Sequence, residues 1–469
     1  MMNSENILKK ENKIKGFVDI QRNYIINILK SIEGLKCLIL DNQVASFISL
    51  NFLQSEGFEL EVFLFEDIKN PNSEKLSYVS AIYFINTSKE NLELLFDQLK
   101  KPSFKEYHLF FLSDISDDII RKIAECDIFD LVKNIRRVYF NYYAPNNEFA
   151  HSNQTNSGQL VSKKLSQWES NDLNQLQIIE ETIISSMCSL RQIPVIRYLQ
   201  NSDISLQIGD RVSSKLKNIG ISYPTDFERG KSLLLIMERR EDPITPLLFH
   251  WSYQSMLHEI FGINANKITH DGKEYNLNLS HDAFYENNLY SNYGDLINAL
   301  RSKLESVSEK RQQNKDIQSF EDMQRILANM PEFKKDTSIT SKHLSLADGL
   351  TKVINKRKLM ELSKIEQDVA SKESKKDQFT TIDEILTRKD VDMFDKFRLT
   401  CLFCLKYESS DLSYELEKHF RELKPSMEYI DKLEKLIQKC GRSSRSQKQI
   451  GGYLTDKVFQ IYNDMFNVI

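Results

Sequence analysis

RGKSLLLIMERREDPITPLLFHWSYQSMLHEIFGI, residues 229–263, changes its pattern several times in a short space. Leu233-Leu234-Leu235-Ile236-Met237 is an unbroken apolar run, which predicts a strand buried on both faces of a parallel sheet. Glu238, Arg239, Arg240, Glu241 and Asp242 follow at its carboxyl end, where open α/β sheets often hold ligand sites. Pro243 and Pro246 remove backbone donors and fix φ, so no helix starts at once. A helix comes next, with Trp251, Tyr253, Met256, Leu257 and Ile260 mostly three or four apart and Gly262 as its stop.

Three catalytic signatures come close to matching here. Gly230-Lys231-Ser232 resembles the end of a phosphate loop, but Thr225 stands where the first glycine is needed. Lys231 and Ser232 also precede the strand, so no helix amino terminus faces a phosphate. His258-Glu259 opens a zinc-protease pattern whose second ligand position is Gly262, so that site cannot form. Arg239 and Asp242 are candidates for a catalytic pair. A buried charge with its partner at a strand-to-helix turn is more often structural, and they are assigned as a structural joint.

At 469 residues and 41% apolar the chain can bury more than one core. Its 63 basic and 67 acidic residues leave a net charge of -4, with no nucleic-acid footprint. The opening MMNSENILKKENKIK lacks the apolar segment of a signal peptide. No stretch reaches the roughly 18 apolar residues of a spanning helix. Six scattered cysteines are not a disulfide framework. Cys401-Leu402-Phe403-Cys404 is a lone pair in a helical apolar run, which predicts core packing rather than a metal.

In chain order, residues 1 to about 137 read as a small α/β domain. A helix over about Phe17–Ile32 precedes strands at Cys37–Leu40, Glu61–Phe65, Ala81–Ile85 and His108–Leu112, with helical patterns around 43–56, 88–100 and 116–125 between them. Such alternation predicts a parallel sheet. Asp41 and Ser113-Asp114 lie at strand ends, but no GxGxxG loop accompanies them, so a dinucleotide is not expected. From Val138 to Phe249 come an aromatic run, a polar loop from His151 to Gly158, and one long helical pattern from Leu173 to Gln200 that Pro194 bends or ends. Together with the central strand these make a second sheet-and-helix layer. Beyond Ile263 the pattern is helical. Leu289, Tyr290, Tyr293, Leu296, Ile297, Leu300, Leu304 and Val307 form one stripe, continued by Phe320, Met323, Ile326, Leu327 and Met330. Pro331 is expected to break it before Leu344, Leu346, Leu350, Val353 and Ile354 resume, giving two antiparallel helices joined near Pro331. Arg442, Arg445 and Lys448 read as a loose solvated loop.

Several of these segments resemble the SM family, the Sec/Munc-type regulators that bind syntaxins and SNARE bundles. The matching segments are Glu238-Arg239 with Asp242, Thr245-Pro246-Leu247-Leu248, Trp251-Ser252-Tyr253-Gln254-Ser255-Met256, and His258-Glu259-Ile260-Phe261-Gly262-Ile263. Gly34-Leu35-Lys36-Cys37-Leu38-Ile39-Leu40-Asp41, Pro194-Val195-Ile196-Arg197-Tyr198, His281-Asp282-Ala283-Phe284-Tyr285, Met330-Pro331-Glu332-Phe333, Ser341-Lys342-His343-Leu344, Glu361–Gln367 and Phe394–Leu399 fit equally well. The Trp-x-Tyr-Gln and His-Glu-x-x-Gly-Ile forms are most similar to the endosomal and trans-Golgi branch.

The resemblance implies an arch-shaped, multi-domain SM fold. An N-terminal parallel α/β sheet domain would span 1–137, the first part of a second α/β domain 138–249, and a large helical third domain 250–469 with a protruding hairpin at about 285–370. Family members continue into a strand, Gly-Gly and further α/β units that close the second domain. Gly451-Gly452 has no apolar strand before it and cannot substitute, so the expectation is either a truncated or divergent sequence or an incomplete second domain. Also implied are a pocket for a syntaxin amino-terminal peptide near Phe111, Ile119, Ile120, Ile123 and Val132, and a SNARE cleft at Glu66 and Asp67. The SNARE template hairpin would carry Phe320, Met323, Leu327, Pro331, Leu344 and Leu346, and the helix could lengthen at its proline-bearing tip. The residue pattern alone equally fits side chains that pack the domain's own core and a hairpin that satisfies itself. The function expected is that of a non-enzymatic, monomeric factor that binds a syntaxin-type SNARE and the assembled SNARE bundle. It would need no cofactor and no metal, act in the cytoplasm, and sit at Golgi and endosomal membranes only indirectly, through SNAREs. The alternative is an α/β enzyme acting on a phosphorylated small molecule near Arg239, against which the missing phosphate loop, metal cluster and nucleophile elbow count.

Overall fold

The computed structural model describes residues 16–70, 75–152, 168–199, 202–223, 227–313, 320–372, 374–408 and 410–440, with backbone alone at 308–313, 320–333 and 439. Most of the polar run after His151, and Arg442, Arg445, Lys448, Gly451 and Gly452, lie outside the described residues.

The first domain alternates as its apolar runs require. Its elements are α1 (Phe17–Lys30), β1 (Lys36–Leu40), α2 (Asn42–Asn51), α3 (Gln54–Glu59), β2 (Val62–Asp67), β3 (Leu76–Ile85), α4 (Lys89–Lys100), β4 (Phe104–Phe111), α5 (Asp117–Cys126) and β5 (Val132–Arg137). The strands form one parallel sheet in the order β2-β1-β3-β4-β5. Successive side chains on a strand point to opposite faces, and here the two faces feed different cores. Leu38, Ile82, Phe84 and Phe110 pack with residues of the helical region, among them Tyr253, Leu257 and Leu346. Ile39, Tyr83, Leu109 and Phe111 pack under α4 and α5 instead. Asp41, at the end of β1, accepts from Val44 N at 2.8 Å, Asn86 N at 2.8 Å and Asn91 Nδ2 at 2.9 Å. It caps α2 and ties two loops, which accounts for an acid there without a ligand.

The second layer consists of α6 (Ser170–Ser189), β6 (Gln192–Tyr198), α7 (Asp203–Ser222) and β7 (Glu228–Ile236), with β6 and β7 parallel. Two expectations are corrected here. The helix predicted over Leu173–Gln200 stops at Ser189, Arg191 turns with φ 54°, and 192–198 is a strand. Pro194 sits at the register shift between Ile193 and Val195, where a missing donor breaks no ladder bond. The apolar run of β7 is not buried on both faces. Leu234 and Ile236 pack on α6 and α7, while Leu233 and Leu235 are 63% and 56% exposed. Among the described residues this sheet has two strands and helices on one face.

The helical region carries α8 (Tyr253–Phe261), the small antiparallel pair β8 (Lys267–His270) and β9 (Lys273–Asn276), and α9 (Ala283–Asn288). A hairpin of α10 (Tyr293–Gln313) and α11 (Phe320–Lys356) follows, then α12 (Leu359–Ser371), α13 (Lys375–Thr387), α14 (Met393–Lys406), α15 (Asp411–Glu422) and α16 (Met427–Cys440). The expected break at Pro331 is also corrected, since α11 runs through it. An internal proline costs about 3 kcal/mol through one lost bond and a clash, and the long helix on either side outweighs that. Lys303 Nζ meets Asp336 Oδ1 at 3.2 Å, and the Tyr293 and Thr351 hydroxyls lie 2.8 Å apart, so the two arms are antiparallel. Cys401 and Cys404 are core residues of α14, where burial pushes the Cys404 thiol up to about 12.

Phe84, fully buried, stacks on Phe110 at 5.0 Å and meets Phe140 at 5.8 Å in the core that the sheet shares with the helical region. Phe84→Ala is expected to lower the unfolding free energy by about 3–5 kcal/mol. Leu235→Ala, on the bare face of β7, should change it by less than about 0.5 kcal/mol. Urea titration of both variants checks the pair.

Candidate partner-binding surface

The five residues expected to line a peptide pocket fall between α5 and the β4–β5 edge, with different fates. Phe111 and Ile123 are fully buried and belong to the core; in this conformation they present no surface. Ile119 and Val132 are half-buried against that core, and Ile120 is exposed. The turn between α5 and β5 adds two residues that sequence reasoning missed, Ile128 at 73% and Phe129 at 59% exposure. Asp127 holds that turn by accepting from Leu131 N at 2.9 Å and Val132 N at 3.0 Å, with Asp130 at φ 54°. Two adjacent apolar residues bracketed by Asp127 and Asp130 were the available signal, because an Asx turn with an apolar tip presents that tip to solvent. The exposed apolar set is therefore Ile120, Ile128 and Phe129.

Glu66 and Asp67 close β2, the edge strand, where both are half-buried and Asp67 Oδ1 accepts from Lys69 N at 2.9 Å. Of the hairpin residues, Leu346 is fully buried in the core shared with the sheet, while Leu344 is half-buried. Phe320, Met323, Leu327 and Pro331 have their backbone in α11, and their side chains lie outside the described residues.

The root of α11 is built from three of the motif segments. His343, fully buried, places Nε2 2.8 Å from Asp282 Oδ2 and Nδ1 2.8 Å from the Tyr253 hydroxyl. Asp282 only accepts and the tyrosine hydroxyl donates, so His343 carries its proton on Nε2. Lys342 Nζ bonds the same carboxylate and the Asn276 carbonyl, the latter at 2.8 Å. Burial alone would raise the Asp282 carboxyl, but His343 and Lys342 outweigh it and hold it down at about 2. Burial lowers the His343 imidazole below its ordinary value, against the upward pull of Asp282.

A second buried network ties α8, α12 and α14. Arg398 Nη1 meets Glu259 Oε1 at 2.8 Å, and its Nη2 meets Glu366 Oε1 at 2.7 Å and Asp395 Oδ1 at 3.5 Å. Glu366 also accepts from Phe249 N at 2.7 Å, and Arg357 pairs with Asp395 at 2.6 Å. The expected joint of Arg239 and Asp242 is corrected. Arg239 is exposed and its contact is 4.0 Å, so that pair contributes little. The buried acid is Glu238, which accepts from Ser202 Oγ at 2.5 Å and pairs with Arg240.

Chemically, these networks brace the fold. Gly230, Lys231 and Ser232 lie inside β7, Lys231 pairing with Glu228 at 3.3 Å, so no phosphate loop exists there. An open cleft of about 440 Å³ beside α6 and α7 contains Glu180, Arg211 and Lys215, but Lys215 pairs with Glu180 at 2.9 Å and Glu181 at 3.1 Å, and Arg137 meets Glu181 at 2.6 Å. Among the described residues no three His, Cys, Asp or Glu side chains form a metal cluster, and no helix is long and apolar enough to cross a membrane.

A family model described as "Sec1 family" matches residues 36–463. Vacuolar protein sorting-associated protein 45 of Dictyostelium discoideum is 33% identical over 91% of this chain and 76% of its own. The Homo sapiens protein of that name is 30% identical over 82% of this chain and 68% of its own. A solved structure of "SM Protein Vps45 in Complex with Qa SNARE Tlg2" superimposes with a TM-score of 0.81 at 27% identity, covering 91% of this chain and 76% of that one. An Unc18–syntaxin 1 complex from Monosiga brevicollis, 18% identical with a TM-score of 0.77 over 92% of this chain and 81% of that one, shares the fold.

Two measurements test this anatomy. Glu238→Ala leaves Arg240 without its buried partner and should cost about 3 kcal/mol, whereas Asp242→Ala should cost under about 1 kcal/mol; equal melting temperatures would reject the reassigned joint. On the acid side, Asp282 is depressed in the folded state, so its contribution, on the order of 2 kcal/mol, is present above about pH 4 and lost as pH falls toward 2. His343 must stay neutral when folded, so stability also declines as pH drops below about 6.5. Chemical denaturation in a pH series on Asp282→Asn and the parent chain reads the first loss as a difference in slope below about pH 4.

Proposed function

The chain belongs to the Sec1 family, and from that premise we propose that it binds a syntaxin-type SNARE and promotes assembly of the SNARE bundle in endosomal and trans-Golgi vesicle fusion. The observation that carries the reading is the likeness, over 91% of this chain, to a Vps45 solved with its Qa SNARE. Its work is non-covalent. The large acids and bases that a catalyst would use are spent on one another, Arg398 on Glu259 and Glu366, Lys215 on Glu180. It acts as a monomer in the cytoplasm and reaches Golgi and endosomal membranes through the SNAREs it holds.

Three surfaces divide this task. The exposed Ile120, Ile128 and Phe129, backed by Ile119, Val132 and the buried Phe111 and Ile123, receive an apolar syntaxin amino-terminal peptide. The β2 end at Glu66 and Asp67 faces the cleft. The α10–α11 hairpin, with Phe320, Met323, Leu327, Pro331 and Leu344 along α11, aligns SNARE helices by groove packing. A helix already continuous through Pro331 is the lengthened form of that arm.

Titration of the purified chain against a panel of syntaxin-type cytosolic regions tests the reading. At least one should bind with a Kd of about 1 μM or tighter, and no binding across the panel would refute it. Phe129→Arg is expected to weaken the amino-terminal peptide about tenfold with an unchanged melting temperature, because the side chain is already exposed. Undiminished peptide affinity would place the pocket elsewhere.

A further inference from the structure

The turn from Asn278 to Asp282 touches two bodies at once. Toward the first domain, Asn278 Nδ2 donates to the Leu50 carbonyl at 3.0 Å, and His281 Nε2 stands 3.7 Å from Glu56 Oε2, whose carboxylate also pairs with Arg22. Toward the hairpin, Asp282 accepts from His343 Nε2 and Lys342 Nζ at the root of α11. Asn278 and Asp282 are both buried, and Asp282 also caps α9 by accepting from Tyr285 N at 2.9 Å. One short rigid segment thus fixes the long arm to the sheet domain. We propose that this turn is the joint that sets the direction of the α10–α11 hairpin relative to the first domain, with Asp282, His343 and Tyr253 as its positioning residues. The inference rests on the proposed template role of the hairpin only for its biological use.

Leverage explains why a single side chain matters. From His343 the helix continues to Phe320, about 35 Å at its rise per residue. A tilt of about 10° at the root would move that end by about 6 Å, roughly one helical turn. The arm is also seated tightly here. A Cβ on Gly349 would lie 2.6 Å from the His270 ring and 2.9 Å from Phe261, so α11 touches its support almost backbone to side chain.

The joint has one protonation state that satisfies it. The charged and titratable groups facing His343 are Asp282 before α9, Lys342 on α11 itself, Tyr253 on α8 and Tyr285 on α9, whose ring stacks at 6.2 Å. Asp282 and Lys342 already balance one another. A second proton on His343 would leave an excess positive charge in a fully buried site and make Nδ1 a donor to the Tyr253 oxygen, so that the tyrosine's own O–H loses the acceptor it has. Acid should therefore loosen the joint before it unfolds the chain.

Spin labels on the full chain at Lys89→Cys in α4 and Gln313→Cys at the far end of α10, with the partly exposed Cys440 replaced by serine, report the hairpin's direction without any SNARE. The parent joint should give one narrow distance distribution at pH 7.5 that shifts or broadens by several ångström at pH 5.5. His343→Gln, whose amide donates to Asp282 and accepts from Tyr253 without titrating, should hold the parent distance at both values. His343→Leu should show the displaced distribution at both. Should His343→Leu fail to fold, the pH series on the parent and His343→Gln decides. A parent distribution that ignores pH, or one that moves equally in both, overturns the proposal. Since no SNARE is present, failure of this distance test is separate from failure to bind a syntaxin.

Discussion

Arg398 is the constraint on which the helical region depends. Its guanidinium is 7% exposed and stands among Glu259 of α8, Glu366 of α12 and Asp395 of its own helix, with Arg357, just past the end of α11, closing the group through Asp395. Charges taken out of water cost several kcal/mol each, and their attraction offsets that only when every partner is in place. The network is therefore intolerant. Helices far apart in sequence must arrive in one arrangement or leave a buried charge unpaired. Phe249, whose N–H bonds Glu366, ties the end of the Pro-rich turn to the same centre, so the passage from sheet to helices is set there too.

The Tyr253–His343–Asp282 chain does for the hairpin root what Arg398 does for the bundle. Both networks are assembled from motif segments that look like chemistry when read singly. His258-Glu259 suggests a metal and supplies instead the acid for Arg398. Asp282, of the His281–Tyr285 segment, supplies the seat of α11. Once the partners are in view, Glu259 and Asp282 are accounted for by the ion pairs and hydrogen bonds they make. A rigid frame with a long arm suits alignment of partner helices, because ordering the frame in advance lowers the entropy that assembly must overcome.

How much of this was legible follows the range of the interaction. β1 to β4 were readable because short apolar runs between helical patterns are a local signal. β5 was not, since Val132-Lys133-Asn134-Ile135-Arg136-Arg137 is an edge strand with few apolar residues. Leu233, Leu235 and Met237 were misjudged as buried because a continuous apolar run says nothing about how many layers cover it. Pro194 and Pro331 show one residue with opposite outcomes, a strand irregularity in the first and helix interior in the second, and tertiary context decides between them. The Asp282–His343 and Arg398–Glu259 contacts join residues distant in the chain, so nothing in either segment names its partner. Ile128 and Phe129 lie between the helical pattern at 116–125 and the unread β5, where two apolar residues carry no periodicity of their own.

The central claim, that one buried charge centre makes α8, α12 and α14 a single cooperative unit, is tested most directly by native-state hydrogen exchange on Arg398→Met. The substitution keeps an apolar stem of similar length but takes the cation from Glu259 and Glu366, leaving Asp395 to Arg357. The amides of all three helices should lose protection together, by a similar free energy, with the α15 amides losing less. Loss confined to α14, with α8 and α12 as protected as in the parent chain, would contradict it.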